Sequence, residues 1–327
     1  MKHLRAGMAL AALLATPACG STPTTYSPQD AAAPLHLVSK IALPGVKGRI
    51  DHLAIDLAHR LLFIAEYGNG SVDVVDLAAG KVIDRISGLH EPQGVAVAGN
   101  ELVIACGDGT IHFYATADRR PVAELSLGDD PDNVRIDQRN GHVIVGYGSG
   151  ALAVIDPETH AVISRTSLPG HPEGFRLTGE TALINVPDRG SIISANVDTG
   201  KIVATWVTGA HRLNFPLAIE AQRGWFAVAY RLPPTLQLRN IGDGAVRSAV
   251  SACGDADDLF IDRDRLLLVC GAGHVDVLSA SSPGTMPKRV TTAPGARTGL
   301  LVPEMNTLFV AVPARSGQAA IWAMRTD

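Results

Sequence analysis

Ionisable and amide side chains recur at one place along this chain, at or just before the start of a short alternating stretch. Arg49, Asp51 and His52 stand at the first such place, and His90, Glu91 and Gln93 at the second. Asp130, Asp132 and Asn133 follow, then His171 and Glu173, then His211, Arg212 and Asn214. Asp255, Asp257 and Asp258 form the sixth group, and Arg297 and Thr298 the seventh. If these groups converge in space they can do one of three things. Mixed carboxylates, imidazoles and guanidiniums recognise a small polar ligand, a peptide or a protein loop. Carboxylates with Asn133 or Asn214 suit Ca²⁺ or Mg²⁺, and the imidazoles suit a transition metal. A neutral His52 or His171 suits a general base beside a bound cation, which points to hydrolysis or elimination.

What must position them is read from the stretches themselves. Asp51–Asp56, Gln93–Ala98, Asp132–Asp137, Glu173–Thr178, Phe215–Glu220, Asp257–Asp262 and Thr298–Pro303 share one pattern, apolar and polar in alternation. That pattern predicts β-strands. Their starts are separated by 42, 39, 41, 42, 42 and 41 residues. Seven strand-rich units of this period predict a seven-bladed β-propeller of four-stranded antiparallel blades. The first unit shows the plan: Leu61–Ala65, the Asn69-Gly70 turn, Ser71–Asp76 and Lys81–Ile86 follow the opening strand. The last unit ends after three strands, while Leu37–Leu43 resembles a fourth strand. The N-terminal strand is therefore expected to complete the last blade. In such a ring the first strands line the central channel, which brings the seven polar groups to one mouth.

A plainer expectation competes at every position. Asp and Asn before a strand often bond their own backbone to fix a turn. Arg135 and Arg176 replace small or apolar residues of the other units, and a buried arginine needs carboxylate partners. Asp130, Asp132 and Glu173 are the candidates, giving ion pairs between blades.

Composition narrows the partners. The formal net charge is −4 over 327 residues, with no basic run, so nucleic acid is not an expected partner. Hydrophobic content of 46% supports a large core. Residues 1–20 read as a signal peptide: Lys2 and Arg5 precede the apolar run 6–15, too short to span a bilayer. Thr16-Pro17-Ala18-Cys19 resembles a lipobox, departing from it at Thr16 and Pro17, so Cys19 is a candidate lipidation site; ordinary cleavage near Ala18 or Gly20 is the alternative. Residues 21–34 read as a flexible linker and 35–327 as the propeller. The expected product is an exported monomer in the periplasm or on the outer membrane, touching the membrane only through a lipid. A two-residue turn at Arg263-Asp264 sets Cys270 opposite Asp257, so Cys253 and Cys270 are expected as small buried thiols; a disulfide between them, in an exported protein, is the alternative.

The strand–turn–strand from Leu62 to Asp76 resembles the diagnostic segment of YVTN-type, or YncE-like, seven-bladed propellers, without the literal Tyr-Val-Thr-Asn. Glu91–Val95, Gly254–Phe260 and Pro294–Thr298 resemble one exported bacterial branch. The resemblance implies the fold over residues 36 to the end and a binding scaffold, and brings no catalytic residues. Lactonase-like and streptogramin-lyase-like propellers imply the alternative, a metal-assisted hydrolase or lyase at the same mouth. No resident cofactor is expected on the first reading; a divalent cation belongs to the second.

Overall fold

The computed structural model describes residues 34–315 and 317–326. Cys19 and the signal segment lie outside the described residues. From Pro34 onward the chain is one compact unit of seven four-stranded sheets. Each sheet is an antiparallel meander. In blade 1, Leu53–Asp56 pairs with Leu61–Glu66, which pairs with Ser71–Asp76, which pairs with Lys81–Ser87. The helical content of the described residues is three single 3₁₀ turns, such as Tyr67–Asn69.

The burial of each strand follows its place in the blade. The second strand of blade 1, Leu61–Glu66, is buried at every residue, on both faces. Its fourth strand, Lys81–Ser87, is exposed or half-buried at every residue but Ile86, as an outer edge carrying Lys81 and Asp84 can be. There is no single central core. Seven apolar clusters occur, one at each junction between neighbouring blades. Phe63 of blade 1 packs with Leu102 and Ile104 of blade 2, and Phe175 of blade 4 with Ile144 of blade 3. Because each blade buries apolar area against two neighbours, the ring is stable only when closed. Closure is made by His36–Ala42, which pairs antiparallel with Ala320–Arg325 and sets Ile41 opposite Ile321. The same residues join the cluster between blades 7 and 1.

The cysteines depart from expectation. Cys253 and Cys270 form a disulfide, with Cα atoms 6.0 Å apart. A bulge between Ala256 and Asp258 pushes Asp257 out of the ladder, so Cys270 pairs with Ala256. Asp255 then takes a left-handed conformation (φ 55°). The antiparallel pairing continues past it, and Gly271 and Ala272 donate to the carbonyls of Asp255 and Gly254. Simple hairpin counting misses both features, and together they carry Cys253 over Cys270.

Candidate functional site

The first strands are short, and backbone irregularities at their starts aim the polar groups. Bulges interrupt the ladder between Pro92 and Val95, between Asn214 and Leu217, and between Ala256 and Asp258. They turn Gln93, Phe215 and Asp257 into the channel, a use of bulges common beside functional sites. Gly94 and Gly174 permit close approach of neighbouring blades: a Cβ on Gly94 would strike the Asp132 carbonyl, and one on Gly174 the Phe215 carbonyl.

The result is a cavity of about 230 Å³ at one end of the channel. Of the expected residues, Asp51, His52, Gln93, Asp132, Asn133, His171, Glu173, Asp257, Asp258 and Arg297 line it. Glu91, Arg212 and Asn214 do not. Glu91 is exposed, with a left-handed backbone, and its carboxylate lies over Gly107. Arg212 is exposed at the start of its strand. Asn214 is fully buried and fastens blade 5 to blade 4, donating to Asn185 Oδ1 at 2.9 Å and to the Ser191 carbonyl at 3.0 Å.

Arg231 is the lining residue that sequence reading missed. It comes from the second strand of blade 5, Trp225–Leu232, which is two residues longer than the blade 1 equivalent. That extra length is the signal in the sequence.

At the rim the charges are paired. Arg231 Nη2 donates to Asp257 Oδ1 at 2.6 Å, and Arg297 Nε lies 3.0 Å from Asp257 Oδ2. Arg49 pairs with the buried Asp51. Arg231 also stacks 3.9 Å above the Phe215 ring. Gln93 donates to Asp130 at 2.8 Å.

At the floor they are not. Arg135 donates to Asn133 Oδ1 at 2.8 Å and to the carbonyls of Val134 and Phe175. Arg176 donates to the Phe175 carbonyl at 3.0 Å. Among the described residues no carboxylate oxygen lies within 4.0 Å of either guanidinium. The expected ion pairs with Asp130, Asp132 and Glu173 are therefore absent, because Asn133 and main-chain carbonyls take the donors instead. Desolvation in the channel, aided by Arg176, pushes Arg135 down to about 9. Desolvation also lowers Arg176.

His52 sits between two carboxylates, its Nε2 3.9 Å from Asp132 Oδ1 and its Nδ1 3.9 Å from Asp258 Oδ2. Desolvation, then Arg135, holds it well below the ordinary imidazole range, so it is neutral at pH 7. Desolvation raises Asp132 and Asp258 to about 6. Desolvation, then the nearby Asp132, raises Glu173 to about 9, so it is a protonated donor at pH 7. Asp132 Oδ1 is buried without a hydrogen-bond partner. Asp258 is spent in part on the Gly299 backbone N–H at 2.9 Å. His171 Nδ1 lies 2.6 Å from the Gly148 carbonyl, which fixes its ring as a donor there.

His52, Arg135, Arg176 and Asp258 also border a second cavity of about 340 Å³ further along the channel. Its other walls include Ala54, Ala96, Ile136, Phe260 and Leu300. The two guanidiniums thus stand where a polar chamber meets an apolar one. In the mouth Asp257 and Asp51 are engaged by arginines. Among the described residues three donor atoms converge within 4.8 Å at Cys253, His274 and Asp276, outside the chamber.

No family model matches the sequence, and no curated protein is similar to it. Among solved structures the chain is similar to Kuenenia stuttgartiensis hydrazine synthase, with a TM-score of 0.70 and 16% identity over 87% of this chain and 99% of that one. Identity at that level speaks to the propeller fold alone.

Proposed function

We propose that the protein is a binding scaffold whose channel mouth takes a small organic anion carrying a hydroxyl or ammonium donor. The observation that carries this reading is the pair of guanidiniums, Arg135 and Arg176, enclosed at the chamber floor with no carboxylate in contact; Asp258 acts on both, and Asp132 on Arg135, only from a distance. A desolvated guanidinium without a carboxylate in contact keeps donors free and gains less from attraction than a contact pair would, which a ligand's anion in contact supplies. A carboxylate or phosphate fits the planar guanidinium donors. Asp132 Oδ1, unpartnered and 3.9 Å from His52, then accepts from the ligand's donor. A chamber of about 230 Å³ is below the roughly 300–1,000 Å³ of drug-sized pockets. It suits a small metabolite, or the terminus of a peptide or of a protein loop.

The reading places the chain in the exported branch of the YVTN-type, YncE-like propellers, as a periplasmic or outer-membrane monomer held by a lipid on Cys19. The Cys253–Cys270 disulfide supports an oxidising compartment. The mouth is assigned no resident cofactor. The test is a thermal-shift series of the purified protein with small carboxylates, hydroxy acids, amino acids and phosphate. A ligand of the folded state raises the melting temperature, and at 100-fold excess over Kd the gain is about 2.7 kcal/mol. The reading expects such a gain in the wild type and none in Arg176→Met; no gain with any anion overturns it.

A second reading has its own observation. Neutral His52 and protonated Glu173 line one chamber, which is the division of labour of a general base and a general acid. Hydrolysis or elimination would then use His52 as base and the floor guanidiniums in place of a cation. A lactone and lyase screen separates the two: turnover lost in His52→Gln with anion binding retained favours catalysis.

A further inference from the structure

We propose that the reduced chain binds one thiophilic divalent cation, such as Zn²⁺, through Cys253, Cys270, His274 and Asp276. The Cys253–Cys270 disulfide is then the metal-free state of the same site. The site lies between blades 5 and 6, away from the channel mouth, and does not depend on the binding reading above.

The placement follows from strand register. Cys270 is opposite His274, and Leu268 is opposite Asp276. Side chains two apart on a strand share a face, so Cys270, His274 and Asp276 point the same way. The segment ahead of Asp255 delivers Cys253 to them. A Cys253 sulfur, a His274 ring nitrogen and an Asp276 oxygen lie within 4.8 Å of one another. Both sulfurs also face the Leu268 carbonyl, at 3.4 and 4.0 Å, an acceptor that suits a thiol.

A disulfide alone accounts for the sulfurs and not for what surrounds them. Asp276 is fully buried, and its Oδ2 has no hydrogen-bond partner. Nor has the buried Nε2 of His274. Blade 1 supplies the contrast at the same register. There Arg85 gives Asp73 two N–H donors, at 2.5 and 2.9 Å, one to each oxygen. In blade 6 Arg289 gives Asp276 one bond, Nε to Oδ1 at 2.9 Å, and leaves the second oxygen open. Thiolate, imidazole and carboxylate together are a zinc donor set, and three of them already converge. Cys270, freed from Cys253 on reduction, is the fourth ligand that the tetrahedral preference calls for. Two thiolates, one carboxylate, Arg289 and a divalent cation also balance in charge. The half-buried His274 gives the ion a way in from solvent.

The chemistry balances with a dithiol reductant. The donor dithiol passes two electrons and two protons to the protein disulfide, leaving Cys253 and Cys270 as thiols and the donor as its own disulfide. The cation then displaces one proton from each thiol. In reverse, two protons return to the thiolates and release the ion, and the two thiols pass two electrons and two protons to the donor's disulfide, which re-forms Cys253–Cys270.

The test is an anaerobic Co²⁺ titration of the full chain, oxidised and reduced, in wild type, His274→Ala and Asp276→Asn, each first checked for a native melting transition. All cysteines remain in these variants, so Cys19 and Cys106 contribute equally throughout. The expected result is a thiolate-to-cobalt charge-transfer band saturating at one equivalent in the reduced wild type. It is absent from the oxidised protein, and affinity falls at least tenfold in each variant. No band in the reduced wild type, equal binding by the oxidised protein, or wild-type affinity in either variant overturns the proposal.

Discussion

The rim and the floor of the channel chamber use the same side chain in opposite ways. Arg231 and Arg297 at the rim share Asp257, and Arg49 holds Asp51. Arg135 and Arg176 at the floor have carbonyls and Asn133 as contact partners, with Asp258 acting on both from farther away. A paired guanidinium is part of the scaffold, tying together the blades that meet at the mouth. On the proposed reading, one without a carboxylate in contact is the group that meets a ligand's anion. The contrast lies in the partners and not in residue type, since both sets are arginines within one cavity.

The comparison predicts stability changes of opposite sign. Asp257→Ala removes the closer of two carboxylates that Arg231 and Arg297 share, leaving Asp255 at 3.6 and 3.3 Å. Removing one member of a buried pair costs about 3–5 kcal/mol; with Asp255 still in place and these side chains 15–24% exposed, about 2–3 kcal/mol is expected in urea denaturation. Asn214→Ala breaks two buried bonds that join blade 5 to blade 4. It is expected to cost about 2 kcal/mol and to leave anion binding unchanged in calorimetry. Arg176→Met goes the other way. Replacing a desolvated charge that has no carboxylate in contact with an apolar side chain is expected to gain about 1 kcal/mol in the same denaturation assay, while anion binding is lost.

The smallest effect is a pH slope. Glu173 has a folded pKa of about 9, above its ordinary value, so the folded chain holds this proton more tightly than the unfolded one. Its contribution is fully present below the unfolded pKa and is lost as pH rises toward 9. Glu173→Gln is expected to flatten the fall in stability across that window. His52, lowered by desolvation, acts in the opposite sense and below its ordinary pKa, where protonating the unfolded chain removes stability as pH falls. Denaturation curves from pH 5 to 9 in both proteins separate the two groups.

The repeat was legible in the sequence because period and alternation are properties of every blade. The closing strand was legible because Leu37–Leu43 has the pattern that the last blade lacks. Much of the chamber followed, since strand starts must converge. What escaped was set by backbone detail. A bulge beside Asp257 and a left-handed Asp255 brought Cys253 onto Cys270. Extra strand length brought Arg231 in. A left-handed Glu91 placed its side chain outside the chamber. The partners of Arg135 were beyond sequence reading for another reason: carbonyls and an amide compete with carboxylates for the same donors, and three-dimensional reach decides between them.

The most direct measurement is calorimetric titration of wild type and of the Arg135→Met/Arg176→Met double variant with lactate, serine and inorganic phosphate, alongside their stabilities without ligand. The account predicts saturable binding of at least one anion by the wild type, none by the double variant, and a double variant at least as stable as the wild type. Equal binding by both proteins, or no binding by the wild type, would contradict the claim that the floor guanidiniums are held unpaired for a ligand.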